Sequence, residues 1–559
     1  MHGKSCATLF VSAVAVRCFP VYPGQERDND PYNRNGSKSG MQPEYGILTG
    51  MMTRREFLAC SGSSAVALLS GCAASTPLPT AGFRDFGGPD QPYLGLATSL
   101  TEEYDYAAVV EGVVPPGLRG TLYRNGPGLF DRGGLRKRSL LDGDGLIQRF
   151  HFHEQGVRFR SRFVQTPKYR EEAAAGRFLY PTWSTLAPGG LWNNIWGPGR
   201  IRSQAGVTVF PWHGRLYAFD ESSLPFEMDP TTLATYGESR LGVPPEIAVT
   251  FAAHCKFDPR TGEWLHFGLQ YGSSASLHLT CFAADGSLTR HRVVELPRYV
   301  YLHDWFVGSR YVMINLHPLE VALWGPLLGI RSILDSLRWR PEQGNLLLVL
   351  PRDLSGEPVW LTTEASFMWH SVNAFEQGGE LIADFVGYAD PNHLVGSQGA
   401  ANAAMTGGKG VIHGTGTLWR YRVDPGQRKV AREQLGEGNF EWPRIDERLR
   451  CRSYRFAYLC SAAPGEFFWS AVERVDLQTG LRTRHDFGAG CYCGEPVFVP
   501  RSDAAEEGSG WVLTEVYDSR TRKSLLAVLD SERLADGPLA RVMLRHHVPF
   551  SYHGWWVNS

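Results

Sequence analysis

A hairpin unit recurs along most of this 559-residue chain. Each copy has a run of aromatic and β-branched residues, a turn that contains Asp, and a second run, as in "CKFDPRTGEWLHFG" (255–268) and "ERVDLQTGLRTRHDFG" (473–488). Asp suits such a turn because its carboxylate accepts hydrogen bonds from backbone amides, and Gly suits it because it adopts positive φ. Repeated hairpins favour an all-β propeller, since radial blades keep a long all-β chain in one body. The spacing of the repeats is irregular and does not define the number of blades.

Composition excludes some classes of function. Lys and Arg number 56 against 57 Asp and Glu, so the formal net charge is −1 and nucleic acid is not an expected partner. With 43% hydrophobic and 20% charged residues the chain is typical of a globular protein. Six of its ten cysteines follow Cys72, and the sequence leaves their pairing open.

The first 80 residues differ from the rest. Arg54 and Arg55 precede a weakly apolar run that ends in "LLSGC" at Cys72, which resembles a bacterial twin-arginine export signal joined to a lipoprotein cleavage box. The run is too short to span a bilayer as a permanent helix. We therefore assign 1–50 to a non-native or structureless extension, 51–80 to the signal segment with Cys72 as the lipid acceptor, and 95–559 to the β-domain. The expected location is the periplasm or a membrane-anchored lipoprotein of a bacterium.

One segment departs from the hairpin pattern. Residues 319–343, "LEVALWGPLLGIRSILDSLRWRPEQ", carry many aliphatic residues, few charges and a spacing compatible with a helix. This pattern predicts either a helix packed on the propeller or an exposed apolar patch that contacts a membrane. The sequence favours neither of these two hypotheses.

Four histidines share a local context. His254, His303, His370 and His553 each follow an apolar or aromatic run and precede a turn or a change of pattern, as in "FMWHSVNAFEQ" at 367–377. Any one of them alone is typical of a hydrogen-bonded core histidine. Together, four neutral imidazoles on one axis would suit a divalent late first-row metal.

Three glutamates are candidates for an outer layer around such a metal. Glu221, Glu441 and Glu495 occupy turn-like or apolar surroundings, where an unpaired carboxylate would be costly. A carboxylate that accepts the ring N–H opposite the metal-bound nitrogen fixes the tautomer of a histidine ligand.

The motifs "GTLYRNGPG" (120–128), "LLDGDGLIQRF" (140–150), "GEPVFVPR" (494–501) and "HGWW" (553–556), with the four histidine contexts, resemble the carotenoid cleavage oxygenase family over about residues 95–559. The resemblance implies a seven-bladed β-propeller with one axial Fe(II) per chain, capped by loops and short helices. It makes the four histidines the iron ligands and the three glutamates their outer partners, leaving one histidine without a glutamate.

The reaction implied is O2-dependent cleavage of an alkene C=C bond into two carbonyl fragments. In the stilbenoid-cleaving branch a lysine precedes the first outer glutamate, whereas Asp220 stands there in this chain, so a lipophilic carotenoid or apocarotenoid is the expected substrate. Lys168 could reach the pocket, which keeps a lignostilbene-type substrate as the alternative. By the same resemblance, Val207 stands where the family has a small branched residue that shields one coordination position of the iron. A third hypothesis is a non-enzymatic propeller that binds a lipophile.

Overall fold

Antiparallel hairpins dominate the part of the chain that the structure describes. This computed structural model describes residues 75–195, 202–221, 223–395, 399–408 and 414–559. The Asp-containing turns form as predicted: the carboxylate of Asp258 accepts from the Arg260 N–H at 3.0 Å, and its carbonyl oxygen accepts from the Gly262 N–H at 2.8 Å. Gly262 has a φ of 71°, a backbone conformation in which a side chain would be strained.

Five sheets of four strands follow one another along the chain, and contacts join the first strand of the third sheet to that of the fourth, and that of the fourth to that of the fifth. We number these sheets as blades 1 to 5. Their strands are Thr208–Trp212, Arg215–Phe219, Phe226–Met228 and Thr235–Glu238 in blade 1; Lys256–Asp258, Glu263–Tyr271, Ala275–Phe282 and Leu288–Leu296 in blade 2; Phe306–Val307, Tyr311–Leu316, Asn345–Pro351 and Val359–Thr363 in blade 3; Phe367–Gln377, Glu380–Tyr388, Thr417–Asp424 and Lys429–Gly436 in blade 4; and Asn439–Arg444, Phe456–Ala462, Ala471–Asp476 and Arg482–Asp486 in blade 5.

Two further blades form one continuous ten-stranded sheet. Blade 6 contains Cys491–Cys493, Val497–Pro500, Gly510–Asp518, Lys523–Asp530 and Pro538–Met543, and blade 7 contains His553–Asn558, Gly120–Leu129, Asp144–His153 and Gly156–Phe163. The strand Asp105–Gly112 joins them, because its first half pairs with blade 7 and its second half with blade 6. The C-terminal strand closes the ring by pairing with Gly120–Leu129, with His553 opposite Asn125. The predicted seven-bladed β-propeller is confirmed.

Hydrophobic side chains fill the spaces between blades. Phe306 and Met313 of blade 3 pack with Phe385 and Tyr421 of blade 4, and these last two rings stack with their centroids 4.7 Å apart. Such interdigitated packing holds each blade at a defined angle to the axis.

Short elements lie between and above the blades. Among the described residues, the α-helices are Pro167–Ala175, Trp324–Leu327 and Ala400–Ala403, and the 3₁₀ helices are Pro92–Ala97, Leu140–Asp142, Leu191–Asn193, Leu334–Ser336, Pro341–Gln343, Ala404–Thr406, Glu447–Leu449 and Leu534–Asp536. Two small sheets are also described: Leu78–Pro79 with Leu135–Arg136 and Asp131–Arg132, and Leu319–Val321 with Leu337–Trp339. Leu140–Asp142 and Ala400–Ala403 contribute side chains to the wall of an apolar cavity beside the four candidate histidines, so the expected cap of loops and short helices is present.

The prediction of a helix across 319–343 is wrong. Leu319–Val321 pairs with Leu337–Trp339 as a hairpin, and only Trp324–Leu327 between them is α-helical. Gly329 adopts a φ of 67°, which stops the helix after little more than one turn. Trp324 and Leu328 are exposed by 47% and 42%. In the described part of the chain, no helix is both long and apolar enough to cross a bilayer.

The N-terminal predictions fall mostly beyond the described residues. Arg54, Arg55, Cys72 and the extension 1–50 lie outside them and stay predictions. Description begins at Ser75, which is fully buried and whose carbonyl oxygen accepts from the Leu186 N–H at 2.7 Å. All six described cysteines are free thiols.

Candidate metal centre and its cavities

Four histidines from four blades converge at the propeller axis. His254 lies just before the innermost strand of blade 2, His303 just before that of blade 3, His370 within that of blade 4, and His553 at the start of that of blade 7. One ring nitrogen of each lies within 4.8 Å of those of the other three. The Nε2 atoms of His254 and His303 are 3.0 Å apart, and those of His303 and His370 are 3.2 Å apart.

The strand of blade 4 bends where its histidine lies. Pairing between Phe367–Gln377 and Glu380–Tyr388 shifts register on both sides of Ser371, so the strand carries a bulge next to His370. A bulge re-aims the side chains beside it. This explains how a histidine inside a regular hairpin points its ring toward the axis.

Burial keeps part of the cluster neutral. It lowers the pKa of His254 well below its ordinary value, and the neighbouring histidines lower that pKa further. Burial also lowers the pKa of His553 to about 4, although Glu495 acts in the opposite direction. Neutral imidazoles whose nitrogens face one another at about 3 Å present converging lone pairs or N–H groups, an arrangement that a cation between them would stabilise. The donor set therefore fits a divalent metal.

Each of the three candidate glutamates contacts a different histidine. Glu221 lies 2.6 Å from Nδ1 of His303, Glu441 lies 2.6 Å from Nδ1 of His370, and Glu495 lies 2.9 Å from Nδ1 of His553. In the described residues no carboxylate contacts His254, which is the histidine left without a glutamate. Because each carboxylate accepts a hydrogen bond from Nδ1–H, the Nε2 lone pair of that ring is free to face the axis.

The glutamates are themselves held in place. Glu441 accepts hydrogen bonds from the Tyr388 hydroxyl at 3.1 Å and from the backbone N–H of Trp442 at 2.6 Å. Burial alone would raise the pKa of Glu495, but Arg444 and His553 lower it to about 2. Burial lowers the pKa of His370, but the neighbouring carboxylates of Glu441, Asp304 and Glu495 together more than offset this and the net shift is upward.

Sequence reasoning missed a charged cluster beside the histidines. Nζ of Lys256 lies 2.6 Å from the carboxylate of Asp304 and donates to Oγ of Ser371 at 2.9 Å, and the Ser371 hydroxyl donates to Asp304 at 2.7 Å. All three are buried. Their positions supply the signal that could have revealed them, since Asp304 and Ser371 each directly follow a candidate ligand. We call them the Lys256 clasp; it ties blades 2, 3 and 4 together.

An apolar cavity ends at the histidines on the capped side. We call it the apolar chamber; its lining includes Leu141, Trp183, Val207, Phe467 and Phe550 together with His303, His370 and His553. The space in it that is open to the centre of a water-sized sphere is about 80 Å³. Its mainly apolar lining suits a hydrophobic ligand.

Two other cavities adjoin this chamber or its histidines. The outer chamber shares Trp183, Asp220 and Glu221 with the apolar chamber and extends to Arg202 and Arg331. The axial pocket is lined by His254, His370 and His553 and by residues near the inner strands of all seven blades, which are Thr208, Lys256, Asp304, Ser371, Arg444, Glu495 and Gly554.

Lys168 does not reach any of these cavities. It is fully buried, with its ammonium 2.7 Å from the Asp144 carboxylate and 2.9 Å from that of Glu172. A cation paired twice in this way has no capacity left for a substrate. The hypothesis that Lys168 supplies a substrate anchor is wrong.

Comparisons with known proteins bear on the site. Residues 97–558 match the family described as RPE65, retinal pigment epithelial membrane protein. The chain is 31% identical over 479 residues to an apocarotenoid-15,15′-oxygenase of Synechocystis sp., covering 84% of this chain and 96% of that relative. It is 30% identical over 470 residues to an isoeugenol monooxygenase of Pseudomonas putida, covering 80% and 94% of the two chains.

A solved structure of an apocarotenoid oxygenase has the same fold as this chain. The cobalt-substituted Synechocystis apocarotenoid oxygenase superimposes with a TM-score of 0.78 at 30% identity, covering 84% of this chain and 99% of that one. That relative is a cobalt-substituted protein, and the four-histidine cluster of this chain can hold a metal ion.

Proposed function

Because this chain belongs to the carotenoid cleavage oxygenase family, whose RPE65 model it matches over residues 97–558, we propose that it is a non-haem Fe(II) dioxygenase that cleaves an alkene C=C bond. His254, His303, His370 and His553 would hold one iron per chain. The overall reaction adds O2 across the double bond and yields two carbonyl fragments, so its atoms balance without a second reductant.

One observation carries this proposal: the apolar chamber ends on three of the four converging histidines. A metal held there would face a hydrophobic substrate directly. Four imidazole nitrogen donors favour a late first-row divalent metal, and the family identity favours iron among such metals. Iron, when bound, supplies the redox chemistry with O2.

Side chains around the site orient the histidine rings and shield the metal position. Glu221, Glu441 and Glu495 fix the ring tautomers of His303, His370 and His553, so that each Nε2 faces the axis without a proton.

Val207 lies in the wall of the apolar chamber. We propose that it limits access to one side of the metal. Aromatic walls such as Trp183 exclude water and decide how far a long substrate enters, which would determine the bond that is cut.

We propose a carotenoid or apocarotenoid substrate. Asp220 in place of a lysine and the pairing of Lys168 in a buried ion cluster leave no lysine among the residues that line the apolar and outer chambers in the described structure. A phenolic alkene of the stilbenoid or isoeugenol type is the second candidate, because the isoeugenol monooxygenase is nearly as similar to this chain as the apocarotenoid oxygenase.

We further propose that the protein is exported and works at a membrane surface. The support for export is the Arg54-Arg55 pair with Cys72 as lipid acceptor. Trp324 and Leu328 are exposed, and Gly329 of the same hairpin packs against Asn194, next to a segment with exposed Leu191 and Trp192. Exposed aromatic and aliphatic side chains that lie beside a cavity suit extraction of a lipophile from a bilayer.

The test is the product spectrum of the iron-loaded full chain in detergent, incubated in air with a panel of apocarotenals and hydroxystilbenes and, in parallel, under argon. We expect polyene aldehydes that form only in air, and about one iron per chain. Phenolic aldehydes instead would favour the second candidate. Intact substrates throughout would contradict the cleavage proposal and, if iron is also absent, would support a lipophile-binding propeller.

A further inference from the structure

The outer chamber has a charge asymmetry that the cleavage reaction does not require. Its inner end, shared with the apolar chamber, carries the carboxylates of Asp220 and Glu221. Arg202 and Arg331 line the outer chamber but not the apolar chamber, and Arg331 belongs to the segment between the paired strands Leu319–Val321 and Leu337–Trp339. A ligand that extends from the apolar chamber into the outer chamber therefore meets negative charge where the two chambers join and positive charge only in the outer chamber.

The acidic end is fixed by the backbone. The carboxylate of Asp220 accepts from the N–H of Gln204 at 2.7 Å, from that of Glu221 at 2.9 Å and from the Ser203 hydroxyl at 3.2 Å. One oxygen of Glu221 contacts His303, while its other oxygen is buried without a hydrogen-bond partner in the described structure. This end accepts hydrogen bonds and repels anions.

The two arginines lack the carboxylate partners that nearby arginines have. Arg138 pairs with Asp335 at 2.8 Å, whereas within the described residues neither Arg202 nor Arg331 forms an ion pair. Nε of Arg202 is buried without a hydrogen-bond partner, and its guanidinium carbon lies 5.2 Å from the centre of the Tyr180 ring. A buried guanidinium donor without an acceptor is costly, and a bound anion would satisfy it.

We propose that Arg202 and Arg331 bind the anionic oxygen group at one end of an elongated alkene, namely a carboxylate-terminated polyene. This rests on the proposed function. The double bond would then lie in the apolar chamber, and the reaction would be R–CH=CH–R′–COO⁻ + O2 → R–CHO + OHC–R′–COO⁻. Asp220 and Glu221 repel the carboxylate from the histidine end, so the substrate binds in one direction only. That direction sets which double bond lies beside the metal.

The test measures binding, so that it does not depend on turnover. Quenching of tryptophan fluorescence gives the Kd of the iron-loaded full chain, under argon, for retinoic acid and its methyl ester and for a longer apocarotenoic acid and its ester. Because hydrogen bonds between charged groups are strong, the acid of at least one pair should bind about tenfold or more tighter than its ester. Arg202→Gln should remove most of that ratio, and Arg331→Gln part of it.

A matched control comes from the same insertion. The Arg340 side chain is 51% exposed, lies 3.9 Å from Glu320 and does not line the outer chamber. Arg340→Gln should leave the acid-to-ester ratio unchanged. Circular dichroism shows whether each variant folds, and because Arg331 is exposed its variant keeps the test valid if Arg202→Gln misfolds.

Equal affinity for acid and ester in the unmodified chain would overturn the proposal, as would a ratio that survives in both folded variants or the absence of binding by any of the four probes. None of these results affects the cleavage of neutral apocarotenals, which tests the proposed function separately. The phosphate of a lipid head group offers the same chemistry. If Arg331→Gln abolishes flotation with phosphatidylglycerol vesicles but not the acid-to-ester ratio, the arginines bind lipid and the carboxylate assignment is wrong.

Discussion

Two cavities meet at the histidine cluster, and they differ in chemistry. The apolar chamber is walled mainly by aliphatic and aromatic side chains from the capping segments, such as Leu141 and Phe550. The axial pocket is walled by charged residues near the inner strand ends, including Lys256, Asp304 and Arg444. His370 and His553 line both cavities.

The contrast separates two tasks. An apolar wall can select a substrate by shape, but it exerts little directional force on the histidines. Buried ion pairs are directional and costly to break, so they are suited to holding strand ends from different blades in fixed positions. We infer that the axial pocket positions the histidines and the apolar chamber positions the substrate.

The largest expected effect comes from a residue that lines both cavities. His370→Ala should remove nearly all bound iron and abolish activity, because it deletes a donor and leaves the Glu441 carboxylate without its histidine. Metal analysis and product formation measure both. His393 lines the apolar chamber outside the cluster, so His393→Asn is the control and should keep its iron. Normal iron content in His370→Ala would contradict the ligand assignment.

Breaking the Lys256 clasp should damage stability as well as metal binding. Lys256→Met leaves the Asp304 carboxylate buried without its cation, which typically costs about 3–5 kcal/mol. Urea unfolding of the metal-free chain measures this cost. The control is Lys429→Met, since Lys429 is exposed and should contribute less than about 0.5 kcal/mol. Equal stability of the two variants would contradict the inference that the axial pocket positions the histidines.

Acid should weaken the axial pocket through Glu495. Its folded pKa of about 2 lies below the ordinary 4.5, so ionised Glu495 stabilises the fold above about pH 4.5 and this contribution is lost as pH falls toward 2. The shift corresponds to about 3 kcal/mol, of which about 2 kcal/mol is lost by pH 3.

Urea unfolding of the metal-free chain at about pH 6 and pH 3 checks this. The stability difference between the unmodified chain and Glu495→Gln should shrink at the lower pH. A difference that stays constant or grows would show that Glu495 is not held ionised by Arg444 and His553.

The smallest effect is expected from the apolar chamber. Leu141→Gln places an amide in the hydrophobic wall and should raise KM about tenfold, because the amide loses its water when the substrate binds. Iron content and unfolding should not change. Leu141→Met keeps the wall apolar and is the control. Loss of iron in Leu141→Gln would mean that the two cavities are not separate in function.

Much of the fold and of the candidate site could be predicted from the sequence, because both depend in part on residues that are close together in the chain. Turns that begin with Asp and end with Gly, such as that from Asp258 to Gly262, define hairpins within a few residues, and the contexts of His254 and His370 are local as well. The segment 319–343 was misjudged because its two ends pair with each other as strands, which a helical spacing does not reveal. Lys168 was misjudged because its partner Asp144 lies 24 residues away.

By itself the sequence determined the all-β class and the candidate histidines and glutamates, since each depends on residue type and near neighbours. Only the tertiary structure decided which of them meet. The pairing of Glu441 with His370, the Lys256 clasp and the closure of the ring by the C-terminal strand all join residues that are remote in the chain. Such contacts depend on how the blades pack around the axis, and packing is a property of the whole set of side chains rather than of any short stretch.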